Sequence, residues 1–175
     1  MNKLLGSYTL FKSWEMGDKD SVLQRIWGND TPTNEAMEEG TRCHEIVSSK
    51  KIKLLPIMDD AWIWESDTEG FYTWNVYDWL TIRAKIDCWN GKDIVIDWKT
   101  GHRKSILQDT KQIWFYAWIL KSKGYDIKKG YIVKLDKDLK VEGITEVTIT
   151  EEKLIAIANW AETIASEIFT EINNA

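Results

Sequence analysis

The stretch DIVIDWKTG, residues 93–101, sets an acid and an amine two positions apart at the end of an apolar run. Ile94, Val95 and Ile96, bounded by turn residues, read as a strand buried on both faces. Alternate residues of a strand point to one side, so Asp97 and Lys99 share a face. Charge in such a place is costly unless it is paired or holds a metal ion. Taken alone, the stretch is best read as an ion pair at the rim of a sheet. Three further segments bear on that reading.

In RAKIDCW, residues 83–89, Arg83, Lys85 and Asp87 alternate with Ala84, Ile86 and Cys88, so the charged side chains share one strand face. By itself this is a solvated face with a salt bridge. The turn that follows decides whether Asp87 and Asp97 meet. A two-residue Asn90-Gly91 turn sets Asp87 opposite Ile94 and turns it away from Asp97. A three-residue loop, Asn90-Gly91-Lys92 with a left-handed glycine, sets Asp87 opposite Val95 and brings Asp87, Asp97 and Lys99 to one side. The odd-length connection, or an equivalent bulge, is predicted. Two converging carboxylates repel and raise one pKa. A divalent cation resolves the repulsion, and hard oxygen ligands suit Mg2+ or Mn2+. Lys99 can then stabilise developing phosphoryl charge or orient an attacking water.

In GTRCHEIV, Gly40 and His44 stand four apart on a predicted helix and share a face. Alone, His44 reads as a surface or capped histidine; as a ligand, its imidazole would shift preference toward manganese. In QIWFYAW, Gln112 and Tyr116 form a polar line on an aromatic helix, by itself a solvent-facing stripe. Between strand and helix, KTGHRKS gathers Lys99, His102, Arg103 and Lys104 into a candidate phosphate-binding edge.

Taken in order, GTRCHEIV, AKID, IDWKTG and QIWFY resemble the RecB-like branch of the PD-(D/E)XK nuclease superfamily. That branch carries a G-x-x-x-H helix, a strand ending in aspartate, a D/E-x-K strand often written D-x-K-T-G, and Q-x-x-x-Y. The direct match spans residues 40–116. Each motif is weak alone; four in order at compatible spacings outweigh the blander readings. The resemblance implies a restriction-endonuclease-like α/β fold and a Mg2+- or Mn2+-dependent deoxyribonuclease, an exonuclease or endonuclease acting on single- or double-stranded DNA in recombination, repair or viral and mobile-element replication. It implies metal ligation by His44, Asp87 and Asp97 with the backbone carbonyl of Trp98, and a catalytic lysine at Lys99. Gln112 and Tyr116 would position the lysine, the water or the DNA strand, and Gly40 would allow close helix packing. The CRISPR-adaptation nucleases and helicase–nuclease subunits of this branch often add four cysteines around an iron–sulfur cluster. Cys43 and Cys88 are the only cysteines here, so no iron–sulfur cluster is expected. Ala84 stands where relatives carry the glycine of GxxD. No helicase motif is present, so unwinding would belong to a helicase or recombination partner. The cluster-free form resembles small viral or mobile-element members and free-standing repair exonucleases. The alternative is a catalytically silent nucleic-acid-binding or scaffold protein that retains the nuclease fold.

The elements that must position these side chains follow from periodicity. Val22, Leu23, Ile26 and Trp27 stripe a helix over 18–28 ended by Gly28, and a second helix runs over about 33–49. AWIWES (61–66) and FYTWNVYDWL (71–80) flank DTEG as a predicted hairpin, and a second hairpin turns at NGK. A strong helix spans 105–124, KKGYIVKLD and ITEVTIT read as strands, and Leu154, Ile157, Ala161, Ile164 and Ile168 mark a docking helix over about 150–171. A central mixed β-sheet flanked by helices is the natural packing solution. A length of 175 residues fits one domain, 1–175, and 43% hydrophobic with 29% charged residues supplies a sizeable core. The eleven tryptophans read mostly as core or half-buried positions. A net charge of −5 argues against a sequence-nonspecific DNA-coating protein, yet is compatible with a basic rim around an acidic centre. The N-terminus lacks a signal-peptide core and no segment reaches the length of a membrane span, so an intracellular, cytoplasmic and reduced setting with no membrane partner is expected.

Overall fold

The computed structural model describes residues 3–29, 35–68, 71–100 and 106–174. In chain order the elements are β1 (Leu4–Ser7), α1 (Tyr8–Glu15), α2 (Lys19–Ile26), α3 (Glu35–Ser49), β2 (Ile63–Trp64), a 3-10 turn (Glu65–Asp67), β3 (Tyr72–Tyr77) and β4 (Leu80–Ala84). There follow β5 (Cys88–Trp89), β6 (Ile94–Thr100), α4 (Ile106–Ser122), β7 (Lys129–Leu135), β8 (Val141–Thr148) and α5 (Glu151–Asn174). The expected mixed α/β architecture is present, but the strands divide into two sheets. One has the order β1-β4-β3, with β1 parallel to β4; the other has the order β2-β5-β6-β7-β8, with β6 and β7 parallel.

The division comes from a break inside RAKIDCW, residues 83–89, whose alternation predicts one strand. The chain leaves the first sheet after Ala84 and enters the second at Cys88. Ile86, Asp87 and Cys88 are buried in succession, which a strand with one solvated face cannot achieve. AWIWES and FYTWNVYDWL do not form a hairpin either. Ile63 and Trp64 pair with Trp89 and Cys88 in the second sheet, while β3 folds back on β4 around Asp78 and Trp79. That turn lacks the glycine that marks most two-residue hairpin loops. β1 and α1 were also missed; Ser7 caps α1 by accepting from the Leu10 amide, a short-range signal that sits between two elements too brief to show periodicity.

Two apolar clusters cover opposite faces of the second sheet. Val95 packs with Ile113, Phe115 and Ile119 of α4, whereas Ile96 and Trp98 pack with Val47 of α3, Trp64 and Val133. Positions 95–99 of β6 are all buried, as a two-sided strand requires. α4 is apolar nearly all round because it touches β3 and β4 of the first sheet, β6 and β7 of the second, and α5. β7 runs close beneath it: a Cβ on Gly130 would meet Ile113 Cγ2 at 2.2 Å, so the glycine sets the helix–sheet spacing. The predicted stripe Leu154, Ile157, Ala161, Ile164 and Ile168 is buried along α5.

Candidate active site

The β5–β6 hairpin brings the two acids together. Cys88 pairs with Ile96, Trp89 with Val95, and the Asn90 amide donates to the Ile94 carbonyl at 3.0 Å. The connection is therefore the odd-length one expected, but its three residues are Gly91, Lys92 and Asp93, with Gly91 at φ +71°. The register is shifted by two from the predicted pairing of Asp87 with Val95, and it carries Asp87 toward Asp97. The cause is the Asn90 side chain, whose oxygen accepts from the amides of Lys92, Asp93 and Ile94 and so belongs to the strand end rather than to the loop.

Pairing with β5 stops at Ile96, which leaves the edge of β6 open beyond that point. Asp87, in the chain break between the sheets, fills part of the opening: its Oδ2 accepts from the Trp98 amide at 3.0 Å. The Trp98 carbonyl faces the same edge, because the N–H and C=O of one strand residue point the same way. The other oxygen of Asp87 lies 3.4 Å from His44 Nδ1 on α3, and the His44 ring tilts against Trp98 at 5.5 Å.

On the α4 side of the strand, Lys99 Nζ donates to Asp97 Oδ1 at 3.0 Å, with Oδ2 at 2.7 Å, and to Gln112 Oε1 at 2.8 Å. Gln112 Nε2 in turn donates to the Tyr116 hydroxyl at 2.5 Å, one helical turn on. Asp97 is 1% exposed, Asp87 5% and Lys99 7%. His44, Asp87, Asp97, Trp98, Lys99, Gln112 and Tyr116 thus converge on one place. Gly40 lies near Thr100, but a Cβ there would sit 3.7 Å from Thr100 Oγ1, an ordinary contact, so packing does not demand glycine. His102, Arg103 and Lys104 lie outside the described residues.

Two groups escaped the sequence reading. Glu65 offers a carboxylate oxygen beside His44 and Asp87, all within 4.8 Å of one another, and no fixed spacing links WIWES to the other motifs. Ser7, Thr9, Phe71 and Arg83 line a cavity with Gln112 and Tyr116, and the Arg83 guanidinium sits over the Phe71 ring at 4.6 Å.

Burial pushes the Asp97 carboxyl up to about 6 against the pull of Lys99, and Asp87 adds to the rise. Burial opposes the charged imidazole of His44, yet Asp87, Asp97 and Glu65 together hold its pKa above the usual histidine value. Burial, then Asp97 and Asp87, raise Tyr116 far above an ordinary phenol, so it stays a neutral hydroxyl. The carboxylates of Glu65 and Asp87 and the His44 imidazole lie close enough to share a hard divalent cation, with the buried Asp97 carboxyl in electrostatic contact with Asp87 and His44. A consequence follows for pH. Asp97 and His44 both have folded-state pKa values above their unfolded ones, so the metal-free protein should lose stability as pH rises, first through about 6 as Asp97 ionises and then above the ordinary histidine range as His44 loses its proton. Protons compete with a cation for the same groups, so Mn2+ affinity should fall as pH drops through about 6. Thermal unfolding without metal and Mn2+ titration, each on both sides of that pH, check the two signs; flat profiles would refute the assignment of Asp97.

No family model and no curated protein matches the chain. Solved structures do. The alkaline exonuclease LHK-Exo from Laribacter hongkongensis superposes with a TM-score of 0.64 at 15% identity, over 98% of this chain and 90% of that one. Its structure in complex with dAMP gives the same TM-score over 96% and 89%. A protein of Eubacterium rectale assigned as an exonuclease gives 0.64 at 12% identity, over 96% and 81%. The chain therefore has the α/β fold of these exonuclease structures. Among them LHK-Exo matches it along nearly the whole length of both chains.

Proposed function

We propose that this chain is a divalent-cation-dependent nuclease that hydrolyses DNA phosphodiester bonds, with residues 1–175 acting as one PD-(D/E)XK domain of the RecB-like branch. The observation that carries the reading is the buried Lys99 ammonium, fixed from one side by Asp97 and from the other by Gln112. A lysine held by two acceptors beside a second buried acid, at the open edge of a strand, is built to meet an anion. The fold shared with exonuclease structures, one in complex with dAMP, supports DNA as that anion.

Hydrolysis forms a bond from a water oxygen to phosphorus and breaks the bond from phosphorus to the leaving sugar oxygen, which takes a proton. His44, Asp87, Asp97 and the Trp98 carbonyl would hold Mg2+ or Mn2+. The cation, when bound, supplies Lewis-acid charge at the phosphoryl oxygens. Lys99 places its ammonium where negative charge grows on the phosphoryl group. Gln112, itself held by Tyr116, restricts Lys99 to that position. Asp87 keeps the edge of β6 in register through the Trp98 amide. Arg83 would supply positive charge for the strand backbone, and His102, Arg103 and Lys104, which follow β6 in sequence, are proposed as further phosphate contacts. Recombination, repair or mobile-element replication, with unwinding left to a helicase or recombination partner, is the setting such an enzyme suits.

Purified protein is expected to degrade DNA with Mg2+ or Mn2+ and to stop in EDTA. Linear, circular, single- and double-stranded substrates compared in parallel separate exonuclease from endonuclease action. Tight DNA binding with no cleavage of any of them under either metal would instead mark the silent scaffold.

A further inference from the structure

We propose that Glu65 is an additional cation ligand of this site and that Lys85 is its counter-ion until the cation arrives. The inference rests on the nuclease reading above, because it enlarges the donor set proposed there. Glu65 opens the 3-10 turn, and the turn is fastened on several sides. Its amide donates to the Asp87 carbonyl at 2.9 Å, tying it to the break between the sheets. The Trp64 amide donates to Asp67 Oδ2 at 3.1 Å, and the Ser66 amide donates to the Ser48 hydroxyl on α3 at 2.8 Å. The backbone that aims Glu65 is thus anchored to the two segments that carry Asp87 and His44.

The carboxylate itself is mostly buried, its side chain 17% exposed. Oε2 lies 4.0 Å from His44 Nδ1, too far for a hydrogen bond. Two ligands on one small divalent ion stand apart by up to about twice a bond of ~2.1 Å, so that gap matches ligands sharing an ion. Asp87 Oδ1, at 3.4 Å from the same nitrogen, closes the set. The remaining oxygen, Oε1, holds Lys85 Nζ at 2.5 Å. Lys85 is half exposed, and such a pair contributes little stability, so an arriving cation displaces it readily. Lys85 then returns its charge to the cavity it lines with Arg83, where DNA phosphates would lie.

Titration calorimetry with Mn2+ alone distinguishes a ligand from a structural ion pair. Glu65→Gln and Lys85→Met break the same pair, so a merely structural role moves both variants the same way. As ligand and competitor they move apart: Glu65→Gln weakens Mn2+ binding about tenfold or more, and Lys85→Met strengthens it. Thermal unfolding without metal confirms that each variant is folded; should Glu65→Gln fail to fold, Lys85→Met alone decides. Wild-type affinity in Glu65→Gln, or weaker or unchanged binding in Lys85→Met, overturns the proposal. If Asp97→Ala abolishes Mn2+ binding while Glu65→Gln does not alter it, the nuclease reading stands and the Glu65 assignment falls. A wild-type protein that binds no Mn2+ removes both.

Discussion

Lys99→Met is expected to give a folded protein that still binds Mn2+ but cleaves DNA about a hundred to a thousand times more slowly. Methionine keeps the apolar stem between β6 and α4 and deletes only the ammonium. Gln112 Oε1 loses its donor, and Asp97 loses a partner in contact at 2.7 Å. A bound cation compensates the unpaired Asp97 carboxylate, so the variant should gain more thermal stability from Mn2+ than the wild type does. Cleavage assays at saturating metal report the loss directly. A rate within a few-fold of wild type would remove Lys99 from the chemistry and return the pair to a buried ion bridge.

Asp97→Ala should be more severe, because it removes both Mn2+ binding and cleavage. Asp97 is the more deeply buried of the two acids and the one whose carboxyl burial pushes up to about 6. Its removal leaves the Lys99 ammonium buried with Gln112 as its remaining acceptor. Breaking a buried pair from one side costs about 3–5 kcal/mol, so the metal-free variant should also unfold at lower denaturant. The two variants separate roles that an activity assay alone confounds. Lys99→Met keeps the cation and loses the rate; Asp97→Ala loses both. Wild-type Mn2+ affinity in Asp97→Ala would end the metal assignment at this strand.

Much of this site was legible in the sequence because its parts lie on elements with strong periodic signals. β6 is a run of aliphatics ended by Thr100 and Gly101, and α4 carries Gln112 and Tyr116 one turn apart on an apolar helix. Parity alone put Asp87 and Asp97 on one side, although the loop was misplaced because the Asn90 side chain takes three amides that a propensity rule leaves free. The division into two sheets was not legible. A strand that stops after Ala84 and resumes at Cys88 keeps the alternation of one strand, and the burial that betrays the break comes from neighbours far away in sequence. Glu65 stayed hidden for a related reason: its place beside His44 and Asp87 is set by hydrogen bonds to Asp87 and by the turn's attachment to Ser48, both contacts across long loops.

The interruption between β4 and β5 places Asp87 at the crossing from one sheet to the other. Asp97 travels with the five-stranded layer, whereas Asp87 hangs on a three-residue bridge whose far end belongs to the three-stranded one. α4 braces both layers, and Trp74 of β3 meets Trp118 of that helix edge-on at 5.1 Å. Asp87 itself is tied to the five-stranded layer, through Cys88 next in the chain and through the Trp98 amide. A tryptophan pair remote from both acids thus helps hold the crossing between the sheets at whose end Asp87 sits.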